Sequence, residues 1–469
     1  MGTSCAKEAV TDDDEATALT MNGGSPPPVT RTARGTSLLR DTRLIPVDEQ
    51  RDVTFTEFFF DILYVLPLQN MFQMSISAAA ASASASSSSS FSSFGAPGAR
   101  LDCLSHFFLI WPALFNSWLG EAFFNTRFDT DDIIGRLQAL LAMVGVVGMA
   151  AGIPSDSQTF AVFYAFTRLV LVSKYVRAHA WYLPCTKSHV ADTHDGLMTG
   201  FIVFFTTGIM LWAAAAVVSE PLSRWLAAAG LLVEYAAPFL LLRQMVNVHS
   251  THMPERFACI TMLMFAGNLF ALLNTGPKVG GVTGWALRPV VFSLLGISMP
   301  VLHIYLYGAE LGMDTRGFHR NMKVKLRSYC HLYLHMPMCG AVQLTSMAVS
   351  HIQWPEGTVD ATTRLLMCEG VAAFLFILSI IHLTGATMNR RRAAIRATSA
   401  LVIALTPLVP VAPMTPPSSS LVSSSLASSS SSSASNEQYD AVPYFCVIVG
   451  VAAVQVLLDS LEAVIPRHG

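Results

Sequence analysis

Stretches of about 20 mostly apolar residues recur along the chain, and no other feature constrains its folding as strongly. A bilayer core about 30 Å thick needs roughly that many residues for one helical crossing. About twelve windows meet the requirement, near 54–76, 103–123, 134–152, 160–181, 199–218, 225–243, 257–273, 287–308, 332–350, 366–386, 397–413 and 443–462. Composition agrees, because 52% of the 469 residues are apolar and only 13% are charged, outside the usual range for a soluble protein. The expected fold class is all-α, a polytopic transmembrane helix bundle of about twelve spans with the lipid bilayer as its first partner.

Orientation follows from Lys and Arg, which stay on the cytoplasmic side of a membrane while acids contribute little. With twelve spans and a cytoplasmic N-terminus, 22 of the 29 basic residues fall in inside segments and 5 in outside ones. The other two are Lys7 in the tail and Arg168 within a span. One misplaced span would scramble that alternation, so it supports an even span count with both termini cytoplasmic. The formal net charge of −2 is then a mean over two unlike sides. The basic clusters are topology determinants that touch anionic lipid, and nothing in them points to nucleic acid.

Residues 1–52 are polar, with the acidic run DDDE at 12–15 and PPP at 26–28, and are expected to form a disordered cytoplasmic tail rather than a cleavable leader. Its start, MGTSCAKE, resembles a dual acylation signal in which Gly2 takes myristate and Cys5 palmitate, although Ala6 departs from the preferred Ser or Thr. The transmembrane domain is expected over 53–464, interrupted by Ser-rich outside loops at 75–100 and 414–440 that bury too little apolar surface to fold. Eight cysteines show no C-x-x-C and no metal-ligand spacing, so they imply no metal, no disulfide framework and no cofactor.

Against this background the polar residues inside the spans stand out, since a charge at membrane depth costs about 2.5 to 3.5 kcal/mol on insertion scales. Glu57 and Asp61 lie one turn apart on one face of the first span. Like charges that close suit a proton or small-cation site. At a helix start they are also favoured by the dipole, and a base such as Arg127 or Arg256 would make the pair structural. The loop Arg127-Phe-Asp129-Thr-Asp131-Asp132 lies on the same side and brings further acids, as either a polar cluster or a helix cap. Arg168 sits in mid-span and needs an acid from a neighbour, with Asp61, Glu57 and Glu234 the choices. Glu255 and Arg256 open the seventh span. His331 and His335, at i and i+4, are either a proton relay or ordinary core histidines, because no acid stands between them as in H-E-x-x-H.

The stretch EFFFDILYV at 57–65 resembles the opening signature of the low temperature requirement A (LtrA) family of membrane proteins. NTRFDTDDIIGRLQALLAMVGVVGMAAGIP at 125–154 is similar to its second signature, and FAVFYAFTRLVLVSKYVRA at 160–178 to its Arg-bearing span. PERFACITMLMFAGN at 254–268, YLHMPMCGAV at 333–342 and RRAAIRATSALVIALTPL at 391–408 continue the likeness in order. Where the family carries Gly-Glu-Ser after Glu-Arg-Phe, this chain has Ala266, Gly267 and Asn268. The resemblance implies a membrane scaffold and leaves the chemistry open.

Three function classes remain. A proton- or cation-coupled transporter or channel would line its path with the acid cluster and Arg168. A non-transporting scaffold or sensor would use the same charges to hold helices together. A membrane-embedded hydrolase is the least supported, since the chain has no nucleophile elbow, zincin motif or phosphate-binding loop.

Overall fold

The structure is a computed structural model, in which the described residues are 43–44, 53–71, 97–129, 132–155, 157–182, 189–241, 252–275, 325–350, 358–359, 361–384, 390–408, 439–440 and 442–464. The acylation candidates Gly2 and Cys5, both Ser-rich tracts, the expected span 287–308 and Asp131 lie outside them, as do the side chains of Gly267 and Asn268.

Helices account for nearly all of the described chain. In order they are α1 (Phe55–Leu63), α2 (Pro97–Arg127), α3 (Ile133–Ser155), α4 (Ser157–Tyr182), α5 (His189–Val217), α6 (Leu222–Leu240), α7 (His252–Thr275), α8 (Lys325–Ser350), α9 (Ala361–Thr384), α10 (Arg390–Leu405) and α11 (Val442–Val464). Two short antiparallel ladders tie distant segments together. Strand β1 (Arg43–Leu44) pairs with β2 (Phe128–Asp129), and β3 (Thr358–Val359) with β4 (Tyr439–Asp440).

Among the described residues five helices are long and apolar enough to cross a membrane: Leu104–Arg127, Ile133–Pro154, Ser157–Ala180, Gly196–Val217 and Thr363–Ile381. They fall on five of the expected spans. The helices α6, α7, α8, α10 and α11 overlay five more. The first expected span is less regular than its hydropathy suggests. Helix α1 ends at Leu63, Tyr64 forms a turn, and helix resumes over 65–71. Pro67 supplies the reason, because it has no N–H to donate to the carbonyl four residues earlier and its ring crowds that carbonyl.

Polarity is distributed as a lipid-embedded bundle requires. Leu140 and Val144 on α3, Val203 and Met210 on α5, and Leu232 on α6 are exposed. Glu57, Asp61, Glu121, Lys174, Arg168, Glu234 and Arg256 are buried. Apolar side chains can face hydrocarbon without loss, whereas charges must face protein.

Helix α2 is the centre of the arrangement: 83% of its most apolar stretch is buried, against 28% for that of α5. It packs on α4, α6, α7 and α8, while α3–α4, α4–α5, α5–α6 and α8–α9 form extensive neighbouring pairs. The α3–α4 pair is close because α3 carries Gly148 and Gly152 at the crossing. A Cβ on Gly148 would collide with the Phe163 ring, and one on Gly152 with the backbone of Phe160. Small residues at such crossings let helix backbones approach where lipid supplies no hydrophobic drive.

Candidate functional site

Four positions of α2, Asn116, Trp118, Glu121 and Arg127, each meet a polar group from another helix, building a ladder of charge through the bundle. At 1.5 Å per residue, the 11 residues from Asn116 to Arg127 cover about 16 Å along the axis.

The central rung joins α2, α4 and α6. Arg168 forms an ion pair with Glu234 at 2.7 Å, with both side chains at 1% exposure or less. The same Glu234 oxygen accepts from Asn116 Nδ2 at 2.6 Å and from the Tyr164 hydroxyl at 2.7 Å. Arg168 also donates to the Asn116 carbonyl at 3.2 Å and lies 4.5 Å over the Phe205 ring. The other Glu234 oxygen, Oε1, is buried and has no hydrogen-bond partner. Gly208 and Gly120 leave the space: a Cβ on the first would strike Glu234 Oε1, and one on the second would lie 2.6 Å from Arg168 Nη1.

The second rung holds α1 to α7 across Trp118 of α2. Arg256 grips Asp61 with two hydrogen bonds, Nε to Oδ2 at 2.9 Å and Nη2 to Oδ1 at 2.7 Å. Trp118 Nε1 donates to Asp61 Oδ1 at 2.7 Å. Glu57, one turn earlier, lies 3.6 Å from Arg256 and 3.3 Å from His252. Glu57 also completes a capping box with Thr54, whose backbone N–H and hydroxyl donate to Glu57 Oε2 at 2.8 and 2.9 Å. Thus the i,i+4 acids share one guanidinium, and helix capping accounts for part of the role of Glu57.

The third rung is Glu121 with Lys174 of α4, at 2.5 Å and nearly fully buried. Glu121 Oε1 has no hydrogen-bond partner. At the C-terminal end of α2 Arg127 donates to the Tyr329 hydroxyl at 2.8 Å and faces the rings of Phe123 and Phe201 at 5.4 and 5.9 Å. Asp132 caps α3 by accepting from Gly135 N at 2.7 Å and pairs with Arg177 at 2.5 Å. Asp129 takes its backbone place opposite Arg43 in the first ladder.

Several sequence expectations are thereby placed. Of the three acids offered to Arg168, Glu234 is its partner. Arg256 rather than Arg127 meets Glu57 and Asp61. Of the loop acids, Asp132 pairs with Arg177 and Asp129 holds a place in the β1–β2 ladder, while Arg127 and Arg256 each meet groups of their own. Glu255 is exposed, next to buried Arg256. His335 bonds the His331 carbonyl through Nδ1 at 2.9 Å and packs on Phe257 at 4.6 Å with the rings tilted by 53°, and the two histidine rings are 5.4 Å apart. Among the described residues no group of three or more His, Cys, Asp and Glu could hold a metal ion.

Sequence reasoning missed Glu121, Asn116, Trp118, Tyr164, Lys174 and His252. Glu121 lies inside the expected span 103–123, so the insertion cost that marked Glu57 marks it too. Lys174 was counted only as an inside charge, and the neutral Asn, Trp and Tyr donors carry no signal until their acceptors are known.

A buried ladder of ion pairs threaded on one central helix defines the class: a polytopic helical membrane protein with a charged interior. Residues 52–429 match the family described as bacterial low temperature requirement A protein (LtrA), and the chain belongs to that family. No curated protein and no solved structure gives a match.

Proposed function

We propose that the protein moves protons across its membrane, as a channel or as the driving step of a coupled transporter, along the charged groups gathered around α2. The supporting observation is the central rung, where the buried carboxylate of Glu234 keeps one oxygen without a hydrogen bond while the other is held by Arg168, Tyr164 and Asn116. A group so placed has somewhere to receive a proton, and its protonation would release Arg168. Glu121 repeats the pattern with Lys174, five residues after Asn116 along α2. Transferring a proton needs only water-sized gaps, and the described spaces beside the ladder are of that size.

The proposal includes twelve spans with both termini in the cytoplasm. In its support, each two-stranded ladder joins segments that the basic-residue count assigns to one side, 43–44 with 128–129 inside and 358–359 with 439–440 outside. A second reading, the non-transporting scaffold, is favoured by a different observation: Glu57, Asp61, Glu121 and Glu234 all have a basic partner already.

The test is proton flux in liposomes containing the purified protein, compared with Arg168→Gln/Glu234→Gln, a paired substitution that leaves no lone charge. Flux lowered tenfold or more in a folded variant places Glu234 and Arg168 in the path. A native protein that passes no protons under a pH gradient, with or without a sodium or potassium gradient, refutes the proposal and leaves the scaffold.

A further inference from the structure

Beside the central rung lies a small space lined by α2, α4, α5, α6 and α8. Its polar lining is Asn116, Tyr175, Glu234 and Tyr333, and Phe201 and Phe205 wall it. Its volume is about 20 Å³, on a measure by which one water needs about 10–15 Å³. An apolar cavity of that size would stay empty. This one is bordered by a carboxylate whose Oε1 has no hydrogen-bond partner. Among the described residues the hydroxyls of Tyr175 and Tyr333 have no hydrogen-bond partner either. The two hydroxyls on one water-sized space form an incomplete network, and buried polar groups in proteins are satisfied by protein or by ordered water.

The charge around the space selects its guest. The Arg168 guanidinium lies 4.5 Å over the Phe205 ring, and that of Arg127 lies 5.9 Å from the Phe201 ring. A cation would enter between two fixed positive groups, and an anion would meet Glu234. A neutral molecule that can both donate and accept meets neither penalty.

We infer that this space is a water site, in which bound water exchanges hydrogen bonds with the hydroxyls of Tyr175 and Tyr333 beside the Glu234 side chain. The inference deepens the proposed proton path, on which it rests, by placing water beside Glu234. Its test stands apart from transport, since the water is present whether or not protons cross the membrane. The site makes Tyr175 unlike other buried tyrosines. Tyr64 and Tyr164 are equally buried, but their hydroxyls are bonded to Ser117 and to Glu234.

Radiolytic hydroxyl-radical footprinting of the whole purified protein separates the two cases, because radicals generated from bound water attack side chains that bulk radicals cannot reach. Tyr175 is expected to be oxidised at least fivefold faster than Tyr64 and Tyr164. Leu119→Phe, which enlarges an apolar side chain on the cavity wall, is expected to bring Tyr175 down to their rate. Tyr175 reacting no faster than Tyr64 and Tyr164 in the native protein overturns the site, and so does an unchanged Tyr175 rate in folded Leu119→Phe. If that variant does not fold, the native comparison decides. Because this readout involves no transport, a labelled Tyr175 in a protein that passes no protons keeps the water site and rejects the path.

Discussion

Replacing Asp61 with Asn should cost the fold about 3 kcal/mol, and removing its partner as well should restore most of the loss. Asp61 is completely buried and takes two hydrogen bonds from Arg256 and one from Trp118. Asparagine can still accept from Trp118, but its amide presents the guanidinium with no negative charge. Arg256, also at 0% exposure, would then rely on Glu57 at 3.6 Å. Removing one partner of a buried pair typically costs about 3–5 kcal/mol, mainly by leaving the other charge uncompensated. The lower end applies because Glu57 remains and because a membrane-inserted unfolded state finds partners of its own. About 3 kcal/mol is roughly a 150-fold change in the folding equilibrium. In Asp61→Asn/Arg256→Met the buried guanidinium is gone and Glu57 keeps Thr54 and His252, so the double variant should lose about 1 kcal/mol, giving a coupling of about 2 kcal/mol or more. Denaturant titration in mixed micelles, read by far-ultraviolet circular dichroism, measures all members of the cycle. A single variant within about 0.5 kcal/mol of the native protein, or a double variant as unstable as the sum of the singles, would refute this account of the second rung.

Lys174→Met alone should destabilise by about 3 kcal/mol through stranded Glu121, whereas Lys174→Met/Glu121→Leu should recover most of that in the same titration. Gly148→Leu should separate α3 from α4 and lower stability by about 3 kcal/mol or more, since Phe163 occupies the place of the new side chain; thermal unfolding followed by size-exclusion chromatography reports it. Gly340→Val should displace the Trp111 indole, which packs on Gly340 and donates to the Met336 carbonyl at 2.9 Å, and tryptophan emission should shift to the red. His335→Phe should be tolerated within about 1.5 kcal/mol, because an aromatic ring of similar size can keep the packing on Phe257.

Much of the membrane architecture can be read from hydropathy because a lipid-spanning helix must satisfy its own backbone and so advertises itself in about 20 consecutive residues. The same argument locates Glu57, Asp61, Arg168 and Glu234, each out of place in an apolar run. Their pairing is not written there: Arg256 is 195 residues beyond Asp61, and Glu234 is 66 beyond Arg168. Interhelical order, which fixes both, depends on side-chain fit that one sequence does not display. The break at Tyr64 could have been anticipated from Pro67. The central position of α2 could not, because its mixture of Trp, Phe, Asn and Glu looks less apolar than the helices that face lipid. The family likeness, carried by RFDTDD and its neighbouring motifs, identifies the scaffold without assigning a role to any of these residues.

The ladder between β3 and β4 also bears on how the chain could be divided. The family match ends at residue 429, and α11 begins at Val442 beyond it. That helix is nonetheless fastened to the core by the Thr358–Asp440 and Val359–Tyr439 pairing and by Arg364, which donates to the Tyr444 hydroxyl at 2.7 Å. These fastenings are noncovalent and lie beyond the Ser-rich tract from α10. A gene cut within that tract would therefore encode two polypeptides that carry matching halves of one seam, and co-expressed fragments should find each other and copurify as a single membrane protein.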